Sequence, residues 1–278
     1  MGAPSLALRQ SAIAASLLGL AAALAPAVPT WRVADPENTL VIDSTKGRII
    51  VELRPEMAPK AVERVKLLAR EHLYDGLKFH RVIDRFMAQT GDPGNVDGGK
   101  SSHPNLKAEF TFRRGADLPY APAARPSGWL TGFIGSAPFV GAPDEFMSRA
   151  ADHKASAWGT YCPGVAGMGR GDDADDANSE FFLMRQAYPS LDKRYTVFGR
   201  VIVGLDVVRA LKTGEPVKDP DAMTRVRVLA DIPVGERPKV EVMDTRSKAF
   251  GKRLAEARRR RGADFSVCDV EVPARIVR

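Results

Sequence analysis

The stretch FHRVIDRFMAQTGD, residues 79–92, decides the fold. It reads as two short β-runs, Leu77 to Ile83 and Phe86 to Thr90, folded back around the polar pair Asp84-Arg85. Upstream, Thr39 to Asp43 and Gly47 to Leu53 form a hairpin about the turn Ser44-Thr45-Lys46. A helix follows from Ala58 to Arg70, with Ala58, Ala61, Val62, Val65, Leu68 and Ala69 on one buried face. Downstream, residues 91–105 are a Gly-, Asp- and Asn-rich loop, and Glu109 to Phe112 is a brief strand. From 115 to 157 the pattern dissolves into Pro, Gly and small residues, with a short helix at Asp144 to Ala151. That span is read as an insert. Strands resume at Cys162 to Met168, Phe181 to Met184, Thr196 to Val203 and Arg225 to Leu229, with a helix at Leu205 to Leu211. The tail, 231–278, adds a basic helix over Arg246 to Arg261 and an apolar run from Phe265 to Val272. The expected architecture is mainly β: a closed antiparallel barrel of about eight strands capped by two helices.

Composition limits what such a chain can do. Of 278 residues 44% are hydrophobic, enough for a real core, and 24 Gly with 20 Pro favour turns over a helical bundle. Most of the net charge of +7 sits towards the C-terminus: residues 225–278 carry 14 Lys/Arg against 8 Asp/Glu, leaving 27 against 26 for the rest. No aromatic residue interleaves with the Arg run, so no nucleic-acid partner is expected. At the N-terminus, Arg9, the small-apolar run Ala12 to Ala25 and Ala25-Pro26-Ala27 have the order of a secretory signal cut after Ala27. The run is short for a bilayer span. Residues 1–27 are therefore expected to be removed, giving an exported, periplasmic protein without stable membrane insertion. Cys162 and Cys268 allow one disulfide or two buried thiols, and both remain open. Neither cysteine lies near His72, His80, His103 or His153 in a zinc pattern, so no metal is expected. The run Asp172 to Asp176 lacks the glycine and glutamate of a calcium loop. No serine or cysteine sits in a nucleophile elbow, which excludes a hydrolase.

Taken with four further pieces, the 79–92 stretch resembles the cyclophilins. The pieces follow in family order: Gly98-Gly99-Lys100, Ala108-Glu109-Phe110, Asn178-Ser179-Glu180-Phe181-Phe182 and Val197-Phe198-Gly199-Arg200-Val201. The resemblance covers residues 39–230. It implies a prolyl isomerase domain acting on proline-containing polypeptides, monomeric and without a cofactor.

An Xaa-Pro bond must cross a barrier of about 18–20 kcal/mol because resonance gives its C–N bond double-bond character. No covalent step is needed. A site need only hold the ring and favour the twisted amide, which a fixed guanidinium can do by donating to the nitrogen or to the moving oxygen. The resemblance gives this role to Arg81 and lets Gln89 anchor the neighbouring carbonyl. It makes Phe86, Met87, Phe182 and Leu191 the walls of a proline pocket, and it places Phe79, His80, Gly169, Arg170 and Tyr195 along the bound peptide. Phe181 and Phe182 are adjacent, so a strand turns them to opposite faces.

Several positions depart from the family. Glu180 replaces the usual glutamine, Tyr195 a common histidine, Ser190 the tryptophan of cyclosporin-sensitive members, and Gly169-Arg170-Gly171 the common Ala-Asn-Ala. Glu180 and the insert keep a second reading open, a proline-peptide binding or chaperone module with low turnover.

Overall fold

The computed structural model describes Gly2 and residues 28–277, so the expected secretory segment, residues 1–27, lies outside the described residues but for Gly2. Strand β1 (Trp31–Val33) precedes the hairpin β2 (Thr39–Ser44) and β3 (Gly47–Leu53), and helix α1 (Pro59–Arg70) follows. Next come β4 (Arg81–Val82) and β5 (Met87–Thr90). Strand β6 (Phe112–Arg114) leads into the insert, which supplies β7 (Ala121–Ala124), β8 (Leu130–Ile134), β9 (Ala137–Gly141) and most of β10 (Ala155–Gly159). After it run β11 (Val165–Met168), β12 (Phe181–Met184), β13 (Val197–Val203), α2 (Leu205–Ala210) and β14 (Met223–Val228). The tail contributes β15 (Lys239–Met243), α3 (Lys248–Arg261) and β16 (Ala274–Val277).

Eight antiparallel strands, in the order β14-β2-β3-β13-β11-β12-β5-β4, form the main sheet. Its two edges are joined by the isolated bridges Lys78↔Ala222 and Val82↔Gly214 and not by a continuous ladder, so the barrel is not strictly closed as the sequence leads one to expect. The short β4 explains this, because two residues cannot carry a continuous ladder. Period-2 alternation sorts the side chains to two faces. Leu40, Ile42, Ile49, Val51, Phe181 and Leu183 join α1 and α2 in one apolar core. Val41, Ile50, Phe182 and Met184 enter a second core together with the insert and the tail.

Helix α1 has no side-chain cap from Ala58, and Pro59 opens it. The carboxylate of Glu109 supplies the missing acceptor, taking hydrogen bonds from the backbone N–H of Lys60 and Ala61 at 3.0 and 2.9 Å. An anion at that end also complements the helix dipole.

The insert is not irregular. With β6 it forms a five-stranded antiparallel sheet ordered β6-β10-β9-β8-β7, and the expected helix near Asp144 is a 3-10 turn over Asp144–Arg149. Its inner strands β8 and β9 are buried on both faces, which removes the alternation that marks a strand in sequence. The small residues let the sheets approach closely: a Cβ on Gly159 would lie 2.5 Å from the Val197 side chain.

The tail forms a third sheet with β1, in the order β1-β15-β16. Helix α3 is capped by Ser247, whose side chain accepts from Phe250 N–H, and it presses Phe250 edge-on to Phe133 of the insert at 5.3 Å. Cys162 and Cys268 form a disulfide with Cα atoms 4.9 Å apart, tying the tail to the segment before β11. The 106-residue separation gives the chain-entropy model an upper contribution of about 4–5 kcal/mol.

Glu52 on β3 joins all three sheets. It is 2% exposed and receives Arg32 of β1 at 2.6 Å, Arg54 at 2.5 Å and the Ser136 N–H of the insert at 3.0 Å. Burial by itself would raise its pKa; the guanidiniums of Arg54 and Arg32, with the Ser136 N–H, outweigh burial and hold it at about 2. A depressed folded-state pKa stabilises the fold above the ordinary value of 4.5, and that contribution disappears as pH falls toward 2. Glu52→Gln should therefore cost about 3–5 kcal/mol near neutrality. In urea unfolding at stepped pH, the gap between wild type and variant should narrow between pH 4.5 and 2. A gap independent of pH would contradict the assignment.

Candidate functional site

Strands β4 and β5 pair so that Arg81 lies directly opposite Gln89. Nη1 of Arg81 donates to Oε1 of Gln89 at 3.0 Å, and Nε donates to Glu215 at 2.8 Å. Nε2 of Gln89 donates to Asp97 at 2.7 Å. The result is a chain, Glu215–Arg81–Gln89–Asp97, with an anion at each end and the guanidinium side chain 30% exposed. One N–H of the Gln89 amide is held by Asp97, which leaves the other for an external carbonyl.

This chain edges a cleft of about 240 Å³ lined by Arg81, Phe86, Met87, Gln89, Asp97 and Gly169 on one side. Arg170, Phe182, Leu191 and Tyr195 complete it. The floor is apolar and braced from behind. Phe182 stacks on the buried Tyr161 at 5.7 Å and meets Tyr195 edge-on at 5.7 Å, while Phe86 rests against Tyr188 at 4.6 Å. Arg170 lies over the Tyr195 ring at 4.6 Å and donates through Nε to the Arg194 carbonyl, closing one end. Desolvation raises the pKa of Asp192, which accepts from Trp158 Nε1 and Tyr161 N–H and so ties the insert to the turn carrying Leu191.

Nine of the eleven residues expected from the sequence thus surround one cleft. Phe79 and His80 do not. Phe79 is fully buried in the core shared with the helices, and His80, 5% exposed, has Nε2 2.9 Å from Oε1 of Glu180. Regular strand geometry begins only at Arg81, so the preceding residues are not bound to alternate toward the cleft. Asp97 and Glu215 were not anticipated. Asp97 belongs to the 91–105 loop, which Asp92 staples by accepting from Gly94 and Gly99 N–H, and which Asn178 pins by accepting from Ser101. Nothing in the sequence around Glu215 signals its place, since the contact spans 134 residues.

Known proteins match this chain in both sequence and shape. The family model described as cyclophilin type peptidyl-prolyl cis-trans isomerase/CLD matches residues 39–230. A probable peptidyl-prolyl cis-trans isomerase of Brucella suis is 35% identical over 221 residues, covering 74% of this chain and 89% of that protein, and one from Brucella melitensis matches equally. The crystal structure of the cyclophilin AquaCyp293 from Hirschia baltica superposes with a TM-score of 0.82 at 33% identity, covering 88% of this chain and 93% of that one. That coverage necessarily extends beyond residues 39–230, into the flanking segments.

The braced floor makes Gly167 critical. A Cβ there would come within 2.6 Å of the Tyr161 hydroxyl and 2.7 Å of the Phe182 ring. Neither ring is free to swing away, so Gly167→Ala should destabilise the protein by about 1–3 kcal/mol in urea unfolding. An unchanged midpoint would show that the aromatic stack gives way easily.

Proposed function

The chain belongs to the cyclophilin family of peptidyl-prolyl cis-trans isomerases, and we propose that it turns Xaa-Pro bonds in the Arg81 cleft, acting on polypeptides outside the cytoplasm. One observation carries the placement of the site. The cation Arg81 is fixed at the edge of an apolar pocket, facing the amide of Gln89 across two paired strands.

The pyrrolidine ring enters among Phe86, Met87, Phe182 and Leu191, which offer area without demanding hydrogen bonds. The remaining N–H of Gln89 holds the carbonyl on one side of the bond. As the amide twists, conjugation breaks and the lone pair localises on nitrogen. Arg81, kept in position by Glu215, donates to that nitrogen or to the departing oxygen. This donation is stronger to the twisted state than to either planar one, and only such a difference lowers the barrier. Arg81→Ala should retain its circular dichroism spectrum and lose tenfold to a thousandfold in kcat/KM on a short Xaa-Pro peptide, about 1.4–4 kcal/mol of transition-state stabilisation. Wild-type turnover in that variant would remove Arg81 from the mechanism.

Action outside the cytoplasm is supported by two independent features. The N-terminal segment has the charge, apolar-run and small-residue order of a secretory signal. The Cys162–Cys268 disulfide suits an oxidising compartment. In such a compartment the activity would serve the folding of exported proteins. The protein recovered from a periplasmic extract should begin near Val28 and, unfolded without reductant, should titrate no thiol. An intact Met1 in the membrane fraction, or two reactive thiols per chain, would defeat this reading.

A further inference from the structure

Behind Gly169, at one edge of the cleft, three side chains converge without a settled hydrogen-bonding arrangement. One potential ligand atom from each of His80, Asp97 and Glu180 lies within 4.8 Å of the other two. His80 is 5% exposed and Glu180 4%. Both ring nitrogens of His80 and Oε1 of Glu180 are buried with no hydrogen-bond partner. Yet His80 Nε2 and Glu180 Oε1 are only 2.9 Å apart. The two atoms are close enough for a hydrogen bond and wrongly aligned for one, whereas alignment between donor and acceptor is irrelevant to two ligands facing a common cation. Leaving a buried polar atom unpartnered costs about 1–3 kcal/mol, so the facing pair of His80 Nε2 and Glu180 Oε1 requires an explanation.

We propose that His80, Glu180 and Asp97 form a binding site for a divalent transition-metal ion of zinc's class. One imidazole and two carboxylates suit such an ion, and three protein ligands leave a fourth position open to water or peptide. His80 and Glu180 supply the buried, preorganised half. Asp97 is exposed, so it provides an access path and moves at little cost to close the remaining distance. Glutamine, the residue the family usually carries at position 180, would lack the anionic oxygen. Asp97 also holds Gln89, so an ion drawing on its charge would alter the acceptor on which the cleft's amide rests.

This assignment is independent of the isomerase reading and is tested without turnover. The untagged, oxidised, chelator-stripped protein is titrated with Zn²⁺ alone against a chromophoric chelator. One equivalent should bind to wild type, and Glu180→Gln and Asp97→Asn should each weaken it roughly tenfold or more. Failure of the wild-type protein to bind one saturating equivalent overturns the proposal. So does undiminished binding in both variants, which would place the ion elsewhere. Asp97 is on the surface, so its variant should fold. Should Glu180→Gln not fold, the visible spectrum of bound Co²⁺ decides: it should change with Asp97→Asn, and an unchanged spectrum also overturns the site.

Discussion

The insert is held in register on the main sheet by one buried carboxylate and the arginine beside it. Glu52 and Arg200 are opposite each other on β3 and β13, and both grip the turn between β8 and β9. Glu52 accepts from the Ser136 N–H, and Arg200 donates to the Ser136 carbonyl. Burial pulls the pKa of Arg200 down to about 10, so it remains charged at neutral pH. The turn can approach this closely only because residue 135 is glycine at φ 55°; a Cβ there would overlap the Arg54 guanidinium. Buried ion pairs contribute little net stability against an apolar alternative, but each is costly to break. Their effect here is to reject any docking of the insert that leaves Glu52 or Arg200 without the Ser136 peptide.

With the turn fixed, the second apolar core can form, and the cleft depends on that core. Met87 and Phe182 from the cleft floor share a cluster with Phe133 and Phe139 of the insert and Phe250 of α3. A proline pocket lined by two barrel strands alone would have an unsupported back wall. Here the wall is backed by a sheet and a helix, and the disulfide keeps the tail in place. The insert and tail are therefore parts of the scaffold that sets the shape of the pocket.

What the sequence made legible follows from how strongly each segment's pattern is tied to its environment. Gly47–Leu53 and Phe181–Met184 were readable to the residue because they are β-branched or aromatic and lie in the middle of the main sheet. Nine cleft residues were readable through the family's motifs. The insert's sheet was not, because strands such as Ala137–Gly141, buried on both sides and made of small residues, show no period of two. Strands β1, β15 and β16 are three to five residues long, and β1 pairs with β15 across more than 200 positions, which leaves no local signal. The resemblance also placed Phe79 and His80 along the peptide, and the irregular backbone before β4 buries both side chains instead of presenting them on the cleft surface.

The same distinction between local pattern and distant contact applies to catalysis. A partly exposed ion pair such as Arg81–Glu215 adds little to stability, since solvent screens it. Its effect is on direction. A free arginine side chain samples many rotamers, and a donor that must be reoriented during the reaction loses much of its advantage over water. Glu215 holds Nε, Gln89 holds Nη1, and Asp97 in turn holds Gln89, so the guanidinium is oriented before substrate arrives. The arginine's chemistry is written locally, in the motif that contains it. The orientation that makes this chemistry useful comes from two carboxylates on segments the motif does not include.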